Sequence, residues 1–509
     1  MDIITGFADV LTPKILMWIA IGVTIGYLVG ALPGLGKATG VAVSIPLTFY
    51  LHPVAALGML IGIAKGSAAG SAVSAILINT PGEPASAPTA LDGYPLARQG
   101  KAQKALKMGL YASVIGDFLS TLVLIFLAAP LASYALLIGP VELCAILLFS
   151  LTFIGGLSGR SLIKGLIAAA FGVFFATVGI EPETFVPRLT FGLLELDDGI
   201  KLVPMAIGML AVAEMIAQAG NLKALDAEFE QIKDGTAHED RVILRSEWRR
   251  CIPVILRGTF IGSVVGILPG LGASVGSFLS YAATRKASKT PEKFGTGMIE
   301  GIAAAESADN AVVPSSLVPL FALGIPGSVI AAILIAAFIL HGLTPGPLMF
   351  KQQPRLVADV YAAMLCASLI MLIIGSVGQR LFAMVIRVPL RLIIPGVLLL
   401  CSIGAYLETS TVFSIWVMLF FTGLGLLSRK LDFSFVTFLI GFVIGPNLEL
   451  SFRQSIQILN HDPANLIHHP IAMAFGFLTL GTIWWVGRGH SPVVAAPTSA
   501  TRNSREEEA

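Results

Sequence analysis

The chain has 509 residues, 55% hydrophobic and 13% charged, with a mean hydropathy of +0.84 and a formal net charge of +2. Soluble domains carry about 25% charged residues, so this composition excludes an ordinary soluble protein. The few basic residues are scattered through short loops, which excludes a nucleic-acid surface.

A bilayer core about 30 Å thick takes about 20 apolar residues per helix, and by that measure the chain holds roughly ten to thirteen spanning or half-spanning segments. The start, "MDIITGFADVLTPK", has an early acid and no basic run, so no cleaved signal peptide is expected. The first apolar helix is interrupted by "GALPGLGKATG" from Gly30 to Gly40. A helix rich in Gly, Ala and Ser follows, with Lys65, Ser67, Ser71 and Ser74, and ends in Asn79-Thr80-Pro81-Gly82. Asp117, in "SVIGDFLST", is a candidate for a coupling proton, for a structural salt bridge or for a polar pocket.

From Asn221 to Arg250 the composition turns charged, which marks a soluble connector. The second half repeats the signals in order. "LPGLG" at 32–36 returns at 268–272, "GIA" at 62–64 returns at 301–303, and the Pro-Gly break at 81–82 returns at 326–327. A Gly/Pro turn near Gly93 has its counterpart near Gly342. Residues 1–220 and 251–490 are therefore expected to be two membrane repeats, and the Ala/Ser/Thr-rich, then acidic, residues 491–509 a disordered tail.

Loop charge gives the orientation. The turn after the first LPGLG has no Lys or Arg, whereas the loop after the first Pro-Gly carries Arg98, Lys101, Lys104 and Lys107. In the second half the turn after LPGLG carries Arg285, Lys286, Lys289 and Lys293, and the later loop only Lys351 and Arg355. Lys and Arg mark cytoplasmic loops. Equivalent loops thus face opposite sides, as in an inverted-topology repeat with discontinuous helices or re-entrant hairpins. The expected fold class is an all-α polytopic membrane protein.

Inside hydrocarbon an unmet backbone group costs several kcal/mol, so broken helices survive only when buried in protein or lining a wet cavity. Proline removes a donor and glycine permits unusual dihedrals. Free N–H groups at a helix start suit a carboxylate, and unwound carbonyls suit a cation. The breaks are read as the binding site. A P-loop is excluded, because Ala31 replaces its first Gly and Ala38 follows Lys37 where Ser/Thr is needed. Cys144, Cys251, Cys366 and Cys401 have no C-x-x-C spacing and read as core residues. No metal-ligand motif, paired catalytic carboxylates or Gly-x-Ser-x-Gly elbow supports an enzyme.

"GALPGLG", "ILINTPGEPASAPTALDGYPLARQGKAQKAL" and "GIAAAESADNAVVPSSLVPLFALGIPGSVIAAILIAAFILHGLTPGPLMF" together resemble the large membrane subunit of the tripartite tricarboxylate transporter family. The resemblance extends over nearly the whole chain up to the tail. It implies an ion-coupled carboxylate importer of the bacterial inner membrane, working with a small membrane subunit and a periplasmic substrate-binding protein. One departure is Ala64-Lys65-Gly66-Ser67, where the family has a Tyr-Gly-Gly-Ser-like stretch. A mid-membrane lysine costs about 2.5–3.5 kcal/mol on insertion scales, so Lys65 is expected to meet a carboxylate or to snorkel into a polar cavity.

The candidate substrate and ion site comprises Pro33, Gly34, Leu35, Gly36, Lys65, Ser67, Asn79, Thr80, Pro81 and Gly82 in the first half. In the second it comprises Pro269, Gly270, Leu271, Gly272, Ser274, Ser307, Asn310, Pro326, Gly327 and Ser328. Glu306 and Asp309 are either functional or near an interface. No resident cofactor or metal is expected. Na⁺ or H⁺ is the expected coupling ion, bound at the breaks in the case of Na⁺. A channel and a scaffold subunit without transport of its own are the alternatives.

Overall fold

Proline opens several of the long helices, where its missing N–H costs nothing. The computed structural model describes residues 3–32, 34–157, 161–181, 183–220, 237–385 and 390–488. Pro33, residues 221–236 of the charged connector and the whole tail lie outside them. In chain order the first half has α1 (Ile3–Val10), α2 (Pro13–Ala31), α3 (Lys37–Ser44), α4 (Pro53–Ile78), α5 (Ala87–Leu96), α6 (Ala102–Ala135), α7 (Pro140–Leu157), α8 (Leu162–Ala176) and α9 (Leu202–Ala219). The second half has α10 (Arg245–Ile267), α11 (Gly272–Ala287), α12 (Ile299–Ser315), α13 (Leu317–Leu323), α14 (Val329–Leu340), α15 (Met349–Gln352), α16 (Pro354–Val385), α17 (Leu390–Thr409), α18 (Phe413–Lys430), α19 (Phe435–Ile458) and α20 (Pro470–Gly487). A two-residue antiparallel pair, Gly179–Ile180 with Pro187–Arg188, is the one sheet among the described residues.

The fold is all-α and polytopic. Among the described residues nine helices are long and apolar enough to cross a bilayer, and four shorter apolar helices accompany them. Helix α10 begins at Arg245, so the last residues read as connector form its first turns.

Glycine at every fourth position brings the leading helices into backbone contact, a small-residue seam suited to membranes. Gly22, Gly26 and Gly30 of α2 lie against Met59, Ile63 and Ser67 of α4. Gly258, Gly262 and Gly266 of α10 lie in the same way against Ala304, Ala308 and Val312 of α12. This register corrects one expected match: Gly62 corresponds to Ser307, not to Gly301, which instead faces Asp92 and Tyr281.

The halves interlock. Helix α6 packs on α12, and α16 packs on α4. The two Lys/Arg-rich segments meet on one face, and they are partly helical where loops were expected: Lys104 and Lys107 lie on α6, and Arg285 and Lys286 on α11. There Asp92 of α5 accepts the backbone N–H groups of Gly295, Gly297 and Met298, and Gln99 donates to Thr296 O. The opposite end of α4 carries Thr48 bonded to His341. Loops equivalent in sequence order therefore occupy different ends of the bundle, as the charge pattern requires.

Candidate substrate and ion site

The two LPGLG breaks share their backbone at the first leucine and the first glycine and part at the last glycine, where Gly36 has φ −71° and Gly272 φ +72°. Helix α2 ends at Leu32 (φ −85°, ψ 121°) and α10 at Leu268 (φ −82°, ψ 112°). Gly34 and Gly270 then take φ of +81° and +88°, a region that side chains disfavour. The Pro-Gly breaks match as well. A left-handed residue ends the preceding helix in each case, Asn79 (φ 53°) and Gly324 (φ 75°). Each LPGLG is then tied to the Pro-Gly of its own half: Gly34 N–H donates to Gly82 O, and Gly270 N–H to Gly327 O, both at 3.2 Å.

The breaks are also crossed. The turn Pro84–Ser86, after the first Pro-Gly, packs on α11, which begins at the second LPGLG. Helix α14, after the second Pro-Gly, packs on α3, which begins at the first LPGLG. Serines fasten each return: Ser71 with Ser86 at 2.5 Å, and Ser328 with Ser316 at 2.9 Å, where Ser328 also caps Ala331 N–H.

The ionic centre lies beside the first break. Lys37, the first residue of α3, places Nζ 2.7 Å from Glu83 Oε1 and 2.6 Å from Asp309 Oδ1, with side chains 7, 9 and 0% exposed. Glu83 follows the first Pro-Gly and Asp309 lies on α12, so one ammonium joins both breaks of the first half to the central helix of the second. Glu306, one turn earlier on α12, accepts from Thr89 Oγ1 at 2.5 Å and Ser113 Oγ at 3.0 Å. Glu306 and Asp309 are both fully buried inside the protein. Sequence reasoning missed Lys37 and Glu83 as site residues. Their signal was available: two charges flanking an apolar break and its Pro-Gly partner in the same half.

The other candidates separate into groups. Gly36 caps α3 and lies next to Glu83, and Leu35 is buried beside Met215 and Ile394. Pro269, Leu271, Gly272 and Ser274 are half-buried around the start of α11, and Pro326 and Gly327 are buried. Asn79 and Thr80 are exposed at the tip of their turn, with Pro81 half-buried behind them. Ser67 Oγ, Asn310 Oδ1 and Asp309 Oδ2 are buried without a hydrogen-bond partner, which leaves polar atoms for a ligand to satisfy. Ser307 lies in the helix seam facing Gly116 and Gly258.

Lys65 lies elsewhere. Its ammonium is fully buried and meets Asp117 Oδ2 at 2.7 Å, Met364 O at 2.8 Å, and Thr121 Oγ1 and Ser368 Oγ at 3.0 Å. Four acceptors for three protons leave it no open face. The carboxylate it meets is Asp117 of the protein itself, and it does not snorkel.

Membrane-length helices broken in pairs around a buried ionic centre define a polytopic membrane protein with discontinuous helices. Comparison gives the family: the chain belongs to the tripartite tricarboxylate transporter TctA family, whose model matches residues 16–440. The chain is 37% identical over 483 residues to the "uncharacterized 52.8 kDa protein in TAR-I ttuC′ 3′ region" of Agrobacterium vitis, covering 93% of this chain and 94% of that protein. A second Agrobacterium vitis protein, from the TAR-II ttuC′ 3′ region, is 35% identical over 222 residues, 44% of this chain and 91% of its own length. No solved structure matches. TctA proteins are the transporter subunits of tripartite systems that also contain small membrane and periplasmic binding components.

Proposed function

We propose that this chain carries a carboxylate across the bacterial inner membrane by cation-coupled alternating access. The substrate is handed over by a periplasmic binding protein, and a small membrane subunit completes the complex. The Lys/Arg-rich loops around Asp92 and Gly295 face the cytoplasm. One bundle of helices moves relative to the rest, and the substrate sits between the crossed breaks.

The observation that carries this is the Lys37 bridge. Glu83 and Asp309 hold the ammonium. An entering carboxylate competes for the same charge, so binding loosens the tie between halves. Ser67 and the free N–H groups at the starts of α3, α11 and α14 supply further donors.

Charge balance supports coupling. Lys37, Glu83, Asp309 and Glu306 bring one formal cation and three carboxylates into one buried region. An anion does not enter such a site alone. Co-bound cations offset the excess and let the membrane potential, about 2.3 kcal/mol per charge per 100 mV, drive uptake. The test is carboxylate uptake by proteoliposomes holding the whole complex. Accumulation that needs neither a Na⁺ nor an H⁺ gradient removes the coupling claim, and passive flux without accumulation points to a channel.

A further inference from the structure

We propose that Glu306 is the proton-binding group of the transport cycle, which makes H⁺ a coupling ion. This rests on the transport reading above and goes beyond it in assigning the ion and its carrier.

The geometry singles out this carboxylate among the buried acids on and around α12. Asp117 is held by Lys65, and Glu83 and Asp309 by Lys37. Asp92 takes three backbone N–H groups on Oδ1 and the Tyr281 hydroxyl on Oδ2 at 2.8 Å. Glu306, at 0% exposure, has hydroxyl partners alone, Thr89 and Ser113. A hydroxyl donates or accepts by turning about one bond. When a proton from water converts the carboxylate to the acid, the new O–H donates to one of these hydroxyls. That hydroxyl rotates, and no buried group loses its partner. Release to water on the other side reverses the change. An ammonium partner such as Lys65 offers no equivalent exchange.

The surroundings favour a neutral form once an anion is present. Asp309 lies three residues along the same helix face, and its partner Lys37 is the nearby cation the substrate would claim. Of the other titratable groups on the elements around α12, Asp92 on α5 is bonded to Tyr281 on α11, Asp117 on α6 is paired with Lys65 on α4, and Glu300 at the start of α12 is paired with Arg250 on α10. Tyr27 on α2 is a neutral phenol. Thr89 follows the first Pro-Gly break and Ser113 lies on α6, so the proton on Glu306 is sensed by the first half from within the second.

The experiment uses the complete complex in proteoliposomes, in Na⁺-free medium with an imposed pH gradient. Substrate entry is followed together with proton entry by a trapped pH dye. Wild type is expected to accumulate substrate with protons. Glu306→Gln is expected to lose accumulation at least tenfold and to lose its pH dependence. Glu306→Asp, which keeps a titratable group, is expected to retain proton-driven accumulation. Proton-coupled accumulation by E306Q overturns the proposal. If E306Q does not fold, the double variant Thr89→Val/Ser113→Ala decides. Its pH midpoint of uptake should move to more alkaline values, because the carboxylate loses both donors, and an unmoved midpoint overturns the proposal. Wild-type accumulation on a Na⁺ gradient but never on a pH gradient overturns it too and leaves the transport reading standing. Wild type that neither exchanges nor accumulates substrate sinks both.

Discussion

Lys37 Nζ lies 2.6 Å from Asp309 Oδ1, across 272 residues of chain, and this contact fastens the first LPGLG break to the central helix of the opposite half. Glu83 shares the same ammonium at 2.7 Å. Removing one partner of a buried ion pair typically costs about 3–5 kcal/mol. Lys37→Ala should therefore lower thermal stability markedly and abolish uptake. Adding Asp309→Asn should recover part of the stability and none of the transport. Uptake by Lys37→Ala at the wild-type rate removes Lys37 from the site.

Gly34 and Gly270 share a left-handed backbone but not their surroundings. A Cβ on Gly270 falls 2.7 Å from Ile154 Cγ1 and 2.8 Å from its Cα, whereas on Gly34 it meets only the end of the Gln218 side chain. The dihedral strain costs about 1–3 kcal/mol at either position. Gly270→Val should be the more destabilised in a melting assay, and both variants should lose uptake. Equal melting temperatures would contradict the packing difference.

The Lys65–Asp117 pair gives a separate test. Lys65→Met strands a buried carboxylate and should cost about 3–5 kcal/mol. Lys65→Met with Asp117→Leu should return most of that stability, and uptake should return with it because the two groups satisfy each other apart from the Lys37 centre. If the double variant is stable yet inactive, Lys65 has a part in transport itself.

Asp92 latches the two basic loops by three backbone N–H groups at 2.8–3.0 Å. Hydrogen bonds to a charged group contribute about 1.5–3 kcal/mol each. Asp92→Ala should make a cysteine placed at Thr296 react with a membrane-impermeant thiol reagent several-fold faster. An unchanged rate means the loops stay joined without the latch.

The breaks were legible because Pro and Gly constrain backbone wherever they fall, and LPGLG reads the same in both halves. The register between halves was less legible. "GIA" matched by letters, but contacts are set by the period-four glycines at 22, 26, 30 and 258, 262, 266, which read as ordinary apolar composition. For Lys65 the sequence offers a carboxylate partner or a polar cavity without saying which, since its partners Asp117, Met364 and Ser368 are 52 to 303 residues away. Lys37 belonged to a failed nucleotide motif, and nothing local shows that Glu83 and Asp309 converge on it. Short-range chemistry was readable, whereas long-range pairing of charges depends on how the halves cross.

Helix α12, 17 residues long, is among neither the nine long nor the four shorter apolar helices, yet it is buried from Ile299 to Ser315. An acid at the centre of a bilayer costs about 2.5–3.5 kcal/mol on insertion scales, and α12 carries two fully buried ones, Glu306 and Asp309. Their partners Thr89, Ser113 and Lys37 all leave the ribosome earlier. During biogenesis, then, the first half is already in place as a polar berth for the segment that could not settle in lipid by itself, and a nascent chain lacking that berth would stall with α12 outside the membrane.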